Sequence, residues 1–271
     1  MPETILQRIL ETKRKEVRAL RERYDLEAIQ EAARSGPPAR NFYAAVTRPS
    51  ARGMNLIAEI KKASPSAGVI REDLDPVELA GRYASAGAGA LSVLTDGPYF
   101  NGSLEDLRQV RQAVALPVLR KDFIIDPWQV YESRAAGADA ILLIAAALPP
   151  GLMLDLMILA TELRMTVLVE VHEADELLQV RSMVGFPHRR YGLLGINNRD
   201  LKTFRVDVNT TIRLAELAGE DVPIVSESGI RTRQDIERLK AVGVKAVLVG
   251  EMLVRSDDPA AGIDQLLGPV P

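Results

Sequence analysis

Cysteine is missing from this chain of 271 residues. Its absence removes disulfides, thiolate metal sites and a cysteine nucleophile together, and it fits a reducing compartment. Histidine is nearly missing too, with only His172 and His188 present. A histidine-rich metal site is therefore excluded, most histidine-based acid–base chemistry goes with it, and no Ser-His-Asp set fits the spacings. Long apolar runs are lacking. The most apolar region, Ala138 to Leu163, is broken by Asp139, Pro149, Pro150, Gly151, Asp155 and Glu162, so it reads as a buried strand and a helix, not a membrane span. Charge of one sign is not in excess either. Against 37 acidic residues stand 34 basic ones, which gives no nucleic-acid surface. Met1-Pro2-Glu3-Thr4 lacks the basic and then apolar opening of a secretion signal, and a cytoplasmic location is expected.

What is present is a repeat. The composition, 47% apolar and 26% charged, suits a globular core and rules out wholesale disorder. Residues 3 to 34 have apolar positions at roughly helical spacing, Ile5, Ile9, Val17 and Leu20, among Arg, Lys and Glu. Gly36-Pro37-Pro38 ends this stretch. From Leu56 onward, eight apolar strand-like runs each precede a helix-like segment. They begin near Leu56, Ala90, Pro117, Ala140, Thr166, Gly192, Pro223 and Ala246. Near-continuous apolar strands are those of a parallel sheet buried on both faces. Eight alternating units predict a single α/β domain, a closed (β/α)8 TIM barrel, over an open doubly wound sheet. No GxGxxG follows the first strand, which weakens the open sheet further. The expected division is a helical extension over 1–50 packing on a barrel over 51–271, a monofunctional barrel as the chain stands.

Charge gathers at one end of the predicted strands. Strand one ends in Glu59 and Lys61, strand three in Arg120-Lys121-Asp122-Phe123, and strand five in Glu170 and His172. Strand six ends in Asn197-Asn198-Arg199-Asp200, strand seven in Ser226-Glu227-Ser228-Gly229 and strand eight in Gly250-Glu251. The opposite ends are apolar or small. Barrel active sites lie at the C-terminal ends of strands, so this pattern predicts a ligand-binding mouth. Lys61, Lys121 and Arg199 make an anionic ligand the expectation. Gly229 and Gly250 follow strands seven and eight, where barrels often hold phosphate through backbone N–H groups. With histidine scarce, proton transfer falls to lysine and glutamate. A lysine crowded by cations in a dry pocket is expected to have a lowered pKa and to act as an acid or a Schiff-base nucleophile. A glutamate among apolar neighbours, such as Glu170 beside Leu168 and Val169, is expected to have a raised pKa and act as a base.

The runs Ile57-Ala58-Glu59-Ile60-Lys61-Lys62-Ala63-Ser64-Pro65-Ser66, Leu119-Arg120-Lys121-Asp122-Phe123, Leu168-Val169-Glu170-Val171-His172, Gly195-Ile196-Asn197-Asn198-Arg199-Asp200-Leu201 and Ser226-Glu227-Ser228-Gly229-Ile230 resemble the indole-3-glycerol-phosphate synthase family. So do Tyr99-Phe100-Asn101-Gly102-Ser103 and Leu248-Val249-Gly250-Glu251. The resemblance covers nearly the whole chain. It implies closure of a five-membered ring in 1-(2-carboxyphenylamino)-1-deoxyribulose 5-phosphate, followed by loss of CO₂ and of water. The product is indole-3-glycerol phosphate, made in tryptophan biosynthesis without metal or organic cofactor.

By the same resemblance Lys121 is the general acid and Glu170 the general base of the dehydration. Glu59 and Lys61 complete the catalytic set, and Lys61 also contacts the substrate's anionic groups. Ser64, Phe100, Asn101, Phe123, Asn197, Arg199, Glu227, Leu142 and Leu201 bind substrate, with Pro65 and Ile144 on the apolar wall and Phe100 in a loop. Ser228, Gly229, Gly250 and Glu251 join Lys61 at the phosphate. Glu251 stands where some relatives carry serine, and its side chain is expected to point away. Asn198 also replaces serine in some relatives. The expected partner is a small anionic sugar phosphate, with no nucleic acid and no membrane. A monomer is expected, with weak association with other tryptophan-pathway enzymes. The competing readings are another sugar-phosphate lyase or isomerase on this barrel, with Lys121 as a Schiff-base lysine, and a non-catalytic phosphate-ligand sensor.

Overall fold

The computed structural model describes residues 4–188, 190–200 and 203–269. The N-terminal stretch forms three helices, α1 (Ile5–Arg23), α2 (Leu26–Ser35) and α3 (Phe42–Thr47). Thr4 and Gln7 close a reciprocal capping box at the start of α1, and Asp25 caps α2. The third helix was not expected. Its six residues carry too short a pattern to show a helical period.

β1 (Asn55–Ile60) leads through a small hairpin, β2 (Ala63–Ser64) and β3 (Gly68–Val69), into α4 (Pro76–Ser85). β4 (Ala90–Leu94) is followed by a short α5 (Gly97–Phe100) and by α6 (Leu104–Ala113). β5 (Val118–Lys121) precedes α7 (Pro127–Ala135), β6 (Ala140–Ile144) precedes α8 (Pro150–Glu162), and β7 (Thr166–Val171) precedes α9 (Ala174–Arg181). β8 (Gly192–Asn197) precedes α10 (Asn209–Ala218), and β9 (Ile224–Glu227) precedes α11 (Arg233–Ala241). β10 (Ala246–Val249) ends in a short α12 (Glu251–Val254) before α13 (Pro259–Leu267). β1 and β4 to β10 are the eight expected strands. They pair in parallel, each with its sequence neighbour, and β1 closes the ring against β10 and β4.

Strand alternation decides which side chains reach the interior. Ile57, Leu119, Leu142, Leu168, Leu193, Val225 and Leu248 form the inner core, plugged from below by Phe42 and Val46 of α3. Two residues further along the same faces stand Glu59, Lys121, Ile144, Glu170, Gly195, Glu227 and Gly250. The alternate positions point outward and pack under the helices in a larger apolar shell. This parity was invisible in the sequence because both faces of each strand are apolar.

Parity also corrects part of the predicted mouth. Arg120 flanks Lys121 but faces out of the barrel, and Asp122, although it borders the cavity, turns its carboxylate to Arg120. Arg120 pairs with Asp122 at 3.0 Å and with Glu132 of α7 at 2.9 Å. Asn198 and Ser226 likewise lie behind the sheet, bonded to each other at 3.1 Å and to Thr211. Removing one member of such a buried charged set leaves the rest unsatisfied, so these residues serve the scaffold.

Candidate active site

A cavity of about 600 Å³ opens at the C-terminal ends of the strands. Its floor is the inner ring of charge. Lys121 Nζ lies 3.4 Å from Glu170 Oε2 and 3.3 Å from Glu227 Oε2. Beside it Lys61 Nζ donates to Glu59 Oε1 at 2.5 Å, the pairing that their shared strand face predicts. Glycine makes room for two of these carboxylates. A Cβ on Gly195 would stand 2.5 Å from Glu227 Oε1, and one on Gly250 would stand 2.4 Å from Glu59 Oε1.

The electrostatics reverse two expectations. Burial alone would push the Lys121 ammonium down, but Glu170, Glu227 and Glu59 outweigh it and hold its pKa above the ordinary lysine value. The crowding is by carboxylates, not by cations. Burial alone would raise Glu170, yet Lys121 and His172 hold it below the usual carboxylate range. Glu59 is held down in the same way, with Lys61 and then Lys121 outweighing burial. The carboxyl that does rise is Glu227. Burial pushes it up to about 8, Lys121 offsets only part of this, and Glu170 and Glu59 reinforce it.

Two loops form one rim. Ser228 and Gly229 both adopt left-handed backbone, at φ 68° and 77°. Such backbone is uncommon in a non-glycine residue, and Asn198 holds it by donating to the Ser228 carbonyl at 3.0 Å. Gly250 and Glu251 start α12. The Glu251 side chain pairs with Arg255 at 3.1 Å, and both residues line the cavity. On the other side Phe100 and Phe123 stand with ring centroids 6.0 Å apart. Ser64, Pro65, Leu142, Ile144, Asn197 and Arg199 also line the cavity. Phe100 ends α5 instead of lying in a loop, because Asp96 caps that turn. Asn101 differs from expectation. It is exposed, takes the left-handed cap of α5 at φ 52°, and is outside the cavity lining. Leu201 lies outside the described residues.

Some lining residues were not anticipated. Ile5, Leu6 and Ile9 of α1 close one wall, and Arg231 and Arg255 add cations near the glycine rim. The periodicity showed that α1 has an apolar face but not what that face meets. A salt cluster holds α1 there. Lys13 Nζ sits 2.9 Å from Asp96 and 3.1 Å from Asp122, which belongs to the strand end that carries Lys121. The sequence pattern gives His172 only as a motif residue, although it lies 3.3 Å from Glu170. Its signal was the two-residue spacing from Glu170 on the same face. Among the described residues, no group of three or more His, Cys, Asp or Glu is placed to hold a metal ion, and no helix is long and apolar enough to cross a membrane.

Solved barrels align with this chain. A 3-hexulose-6-phosphate synthase matches over 80% of this chain and 100% of its own, with a TM-score of 0.63 and 17% identity. A tryptophan synthase subunit alpha from Legionella pneumophila matches over 80% and 91%, with a TM-score of 0.54 and 17% identity. At that identity they speak for the fold alone. Closer relatives are the indole-3-glycerol phosphate synthases of Albidiferax ferrireducens, 48% identical over 97% of both chains, and of Azoarcus sp., 49% identical over 97% of this chain and 99% of its own. The family model for indole-3-glycerol phosphate synthase matches residues 6–266. With the inner ring of charge in place and both matches running nearly end to end, the chain belongs to the indole-3-glycerol phosphate synthase family.

Proposed function

We propose that the barrel mouth converts 1-(2-carboxyphenylamino)-1-deoxyribulose 5-phosphate to indole-3-glycerol phosphate. The observation that carries this reading is Lys121, an ammonium set 3.3–3.4 Å from two carboxylates on a cavity floor between an aromatic wall and a glycine rim. Phe100 and Phe123 hold the aromatic ring. Ser228, Gly229, Gly250 and Glu251 offer backbone N–H groups to the phosphate, with Lys61 nearby. Arg199 and Asn197 take the carboxylate. Anchoring both ends of a flexible chain over a flat ring removes most of the entropic barrier to closure.

In the first step the ring carbon bearing the carboxylate attacks the ketone carbon. A C–C bond forms, and the carbonyl oxygen takes a proton from Lys121 to become a hydroxyl. The C–CO₂ bond then breaks and its electron pair restores the aromatic ring. In the last step Glu170 removes a proton from the ring carbon beside nitrogen while the hydroxyl leaves as water, protonated by Lys61, since Lys121 has already given up its proton. A positioned ammonium stabilises the charge that grows on the oxygen. The helical extension over 1–50 acts with the barrel as one unit, since α1 supplies a wall of the site. The barrel works as a monomer in the cytoplasm.

The test is incubation of purified protein with this substrate in the presence of a chelator, followed by indole fluorescence. Turnover that Lys121→Met abolishes and Asn101→Ala spares supports the reading. A folded, substrate-binding protein that produces no indole refutes it.

A further inference from the structure

His172 is buried yet does not line the cavity, and the reaction as drawn does not use it. Its surroundings are specific. Nε2 lies 3.3 Å from Glu170 Oε1, in an ion-pair contact too oblique for a full hydrogen bond. Nδ1 lies 3.4 Å from Glu176 Oε2. That same Glu176 oxygen accepts the His172 backbone N–H at 2.6 Å. Glu176 stands in the first turn of α9, where a carboxylate is favoured by the helix dipole. A row of alternating charge thus runs from the barrel axis outward: Lys121, Glu170, His172, Glu176.

We propose that His172 is a positioning residue, an imidazolium clamped between Glu170 and Glu176 that fixes the Glu170 carboxylate for its work as base. This rests on the reading of Glu170 as the base of the dehydration. The two Glu170 oxygens have different partners, Lys121 on Oε2 and His172 on Oε1. A carboxylate held at both oxygens cannot rotate about its terminal bond, so one oxygen stays aimed into the cavity. Glu176 in turn fixes the ring through one nitrogen and through the backbone. Glu170 and Glu176, the charged groups in contact with the ring, both favour a cation there. Glu170 faces it from β7 and Glu176 from α9, while Lys121 of β5, Glu59 of β1 and Glu227 of β9 lie beyond Glu170. Burial opposes the charge, but Glu170 and Glu176 outweigh it and push the His172 pKa up to about 10. The clamp keeps Glu170 ionised and ready to accept a proton.

Two measurements test this. The first needs no turnover. The chain has two histidines, so imidazole NMR of the whole protein, with His188→Gln to assign signals, reads His172 directly. A doubly protonated ring at about pH 8 is expected, and a neutral ring at about pH 7 overturns the proposal. The second is the pH dependence of kcat. Loss of the cation should raise the pKa of Glu170, so the acidic limb of His172→Gln should move up by about one pH unit, roughly tenfold lower kcat on that limb, with KM little changed. His172→Lys, which keeps the charge, should return the limb toward its original position. Glu176→Gln should shift it the same way by less, and stands in should His172→Gln fail to fold. An unmoved limb, or equal losses in the Gln and Lys variants at every pH, overturns the proposal. If the protein turns over no substrate at all, the reading of function fails while the NMR result still decides the clamp.

Discussion

Replacing Lys13 by methionine should destabilise the protein without detaching its first helix. The Lys13 side chain is 5% exposed and faces Asp96 and Asp122, themselves 0% and 1% exposed. Removing one partner of a buried ion pair typically costs about 3–5 kcal/mol, because the other charge stays buried and unpaired. The two carboxylates are not equally stranded. Asp122 keeps Arg120 at 3.0 Å and the Thr95 hydroxyl at 2.6 Å. The Asp96 oxygen that faces Lys13 has no aligned hydrogen bond of its own, and only its other oxygen is occupied, capping α5 through the Tyr99 N–H at 2.9 Å. Most of the penalty therefore falls on Asp96.

Whether α1 stays docked depends on its apolar face. Ile9, Leu10 and Val17 are buried, and three such side chains contribute roughly 5–9 kcal/mol. That exceeds the loss at Lys13, so the helix stays docked and Ile5, Leu6 and Ile9 still wall the cavity. At about 2–3 °C per kcal/mol for a chain of this size, Tm should fall by roughly 6–15 °C, while KM changes only a few-fold. Lys13→Met with Asp96→Asn should recover part of the Tm loss, since asparagine keeps the cap on Tyr99 and removes the stranded charge. A Tm drop under about 2 °C, or a double variant no better than the single one, refutes the reasoning.

Gly250→Ala would put a Cβ 2.4 Å from Glu59 Oε1 and break up the Glu59–Lys61 pair. It should cost about 1–3 kcal/mol of stability and lower kcat/KM at least tenfold, as steady-state kinetics and urea melts would read. Glu227 provides a pH test. Its folded pKa of about 8 lies above the ordinary 4.5, so the unfolded chain loses this proton first, and the stabilisation present below about pH 4.5 disappears as pH rises toward 8. Glu227→Gln should flatten this fall in urea midpoints between about pH 5 and pH 8, and parallel slopes would count against the assignment. Arg199→Ala should raise KM roughly tenfold, in line with loss of a charged hydrogen bond, and leave kcat less affected. A selective fall in kcat would instead place Arg199 in the chemical step.

Much of the fold was legible in the sequence, and the misses have physical causes. Eight apolar runs, each before a helix-like segment, point to the barrel, since parallel strands covered on both faces must be apolar throughout. The same uniformity hides the parity, so the sequence pattern puts Arg120 in the mouth beside Lys121. The electrostatic expectation fails for a related reason. Counting the cations Lys61 and Arg199 predicts a lowered pKa for Lys121, but across the barrel its neighbours are Glu170, Glu227 and Glu59, which hold it up. Asn101 sits within a matching motif, but its left-handed cap turns it to solvent. The α1 wall depends on docking between distant segments, and a single segment's periodicity carries no information about its partner.

The high pKa of Lys121 is compatible with its proposed work as an acid. The proton acceptor is a carbonyl oxygen, scarcely basic in the substrate but strongly basic once the C–C bond has formed. A poised, low-pKa lysine would give up its proton to solvent at neutral pH, and the site would often lack its acid when substrate arrived. An ammonium ringed by three carboxylates is always charged, so it is present as an electrostatic stabiliser from the start and transfers its proton only as the oxygen becomes an alkoxide. The same ring limits how many carboxylates can be ionised together. Lys121, Lys61 and His172 balance Glu59, Glu170 and Glu176, and Glu227, pushed up to about 8, retains its proton at neutral pH. The floor is thus close to neutral before substrate enters. Its remaining attraction for an anion comes from Arg199, Arg231 and the glycine rim, since Arg255 is already paired with Glu251.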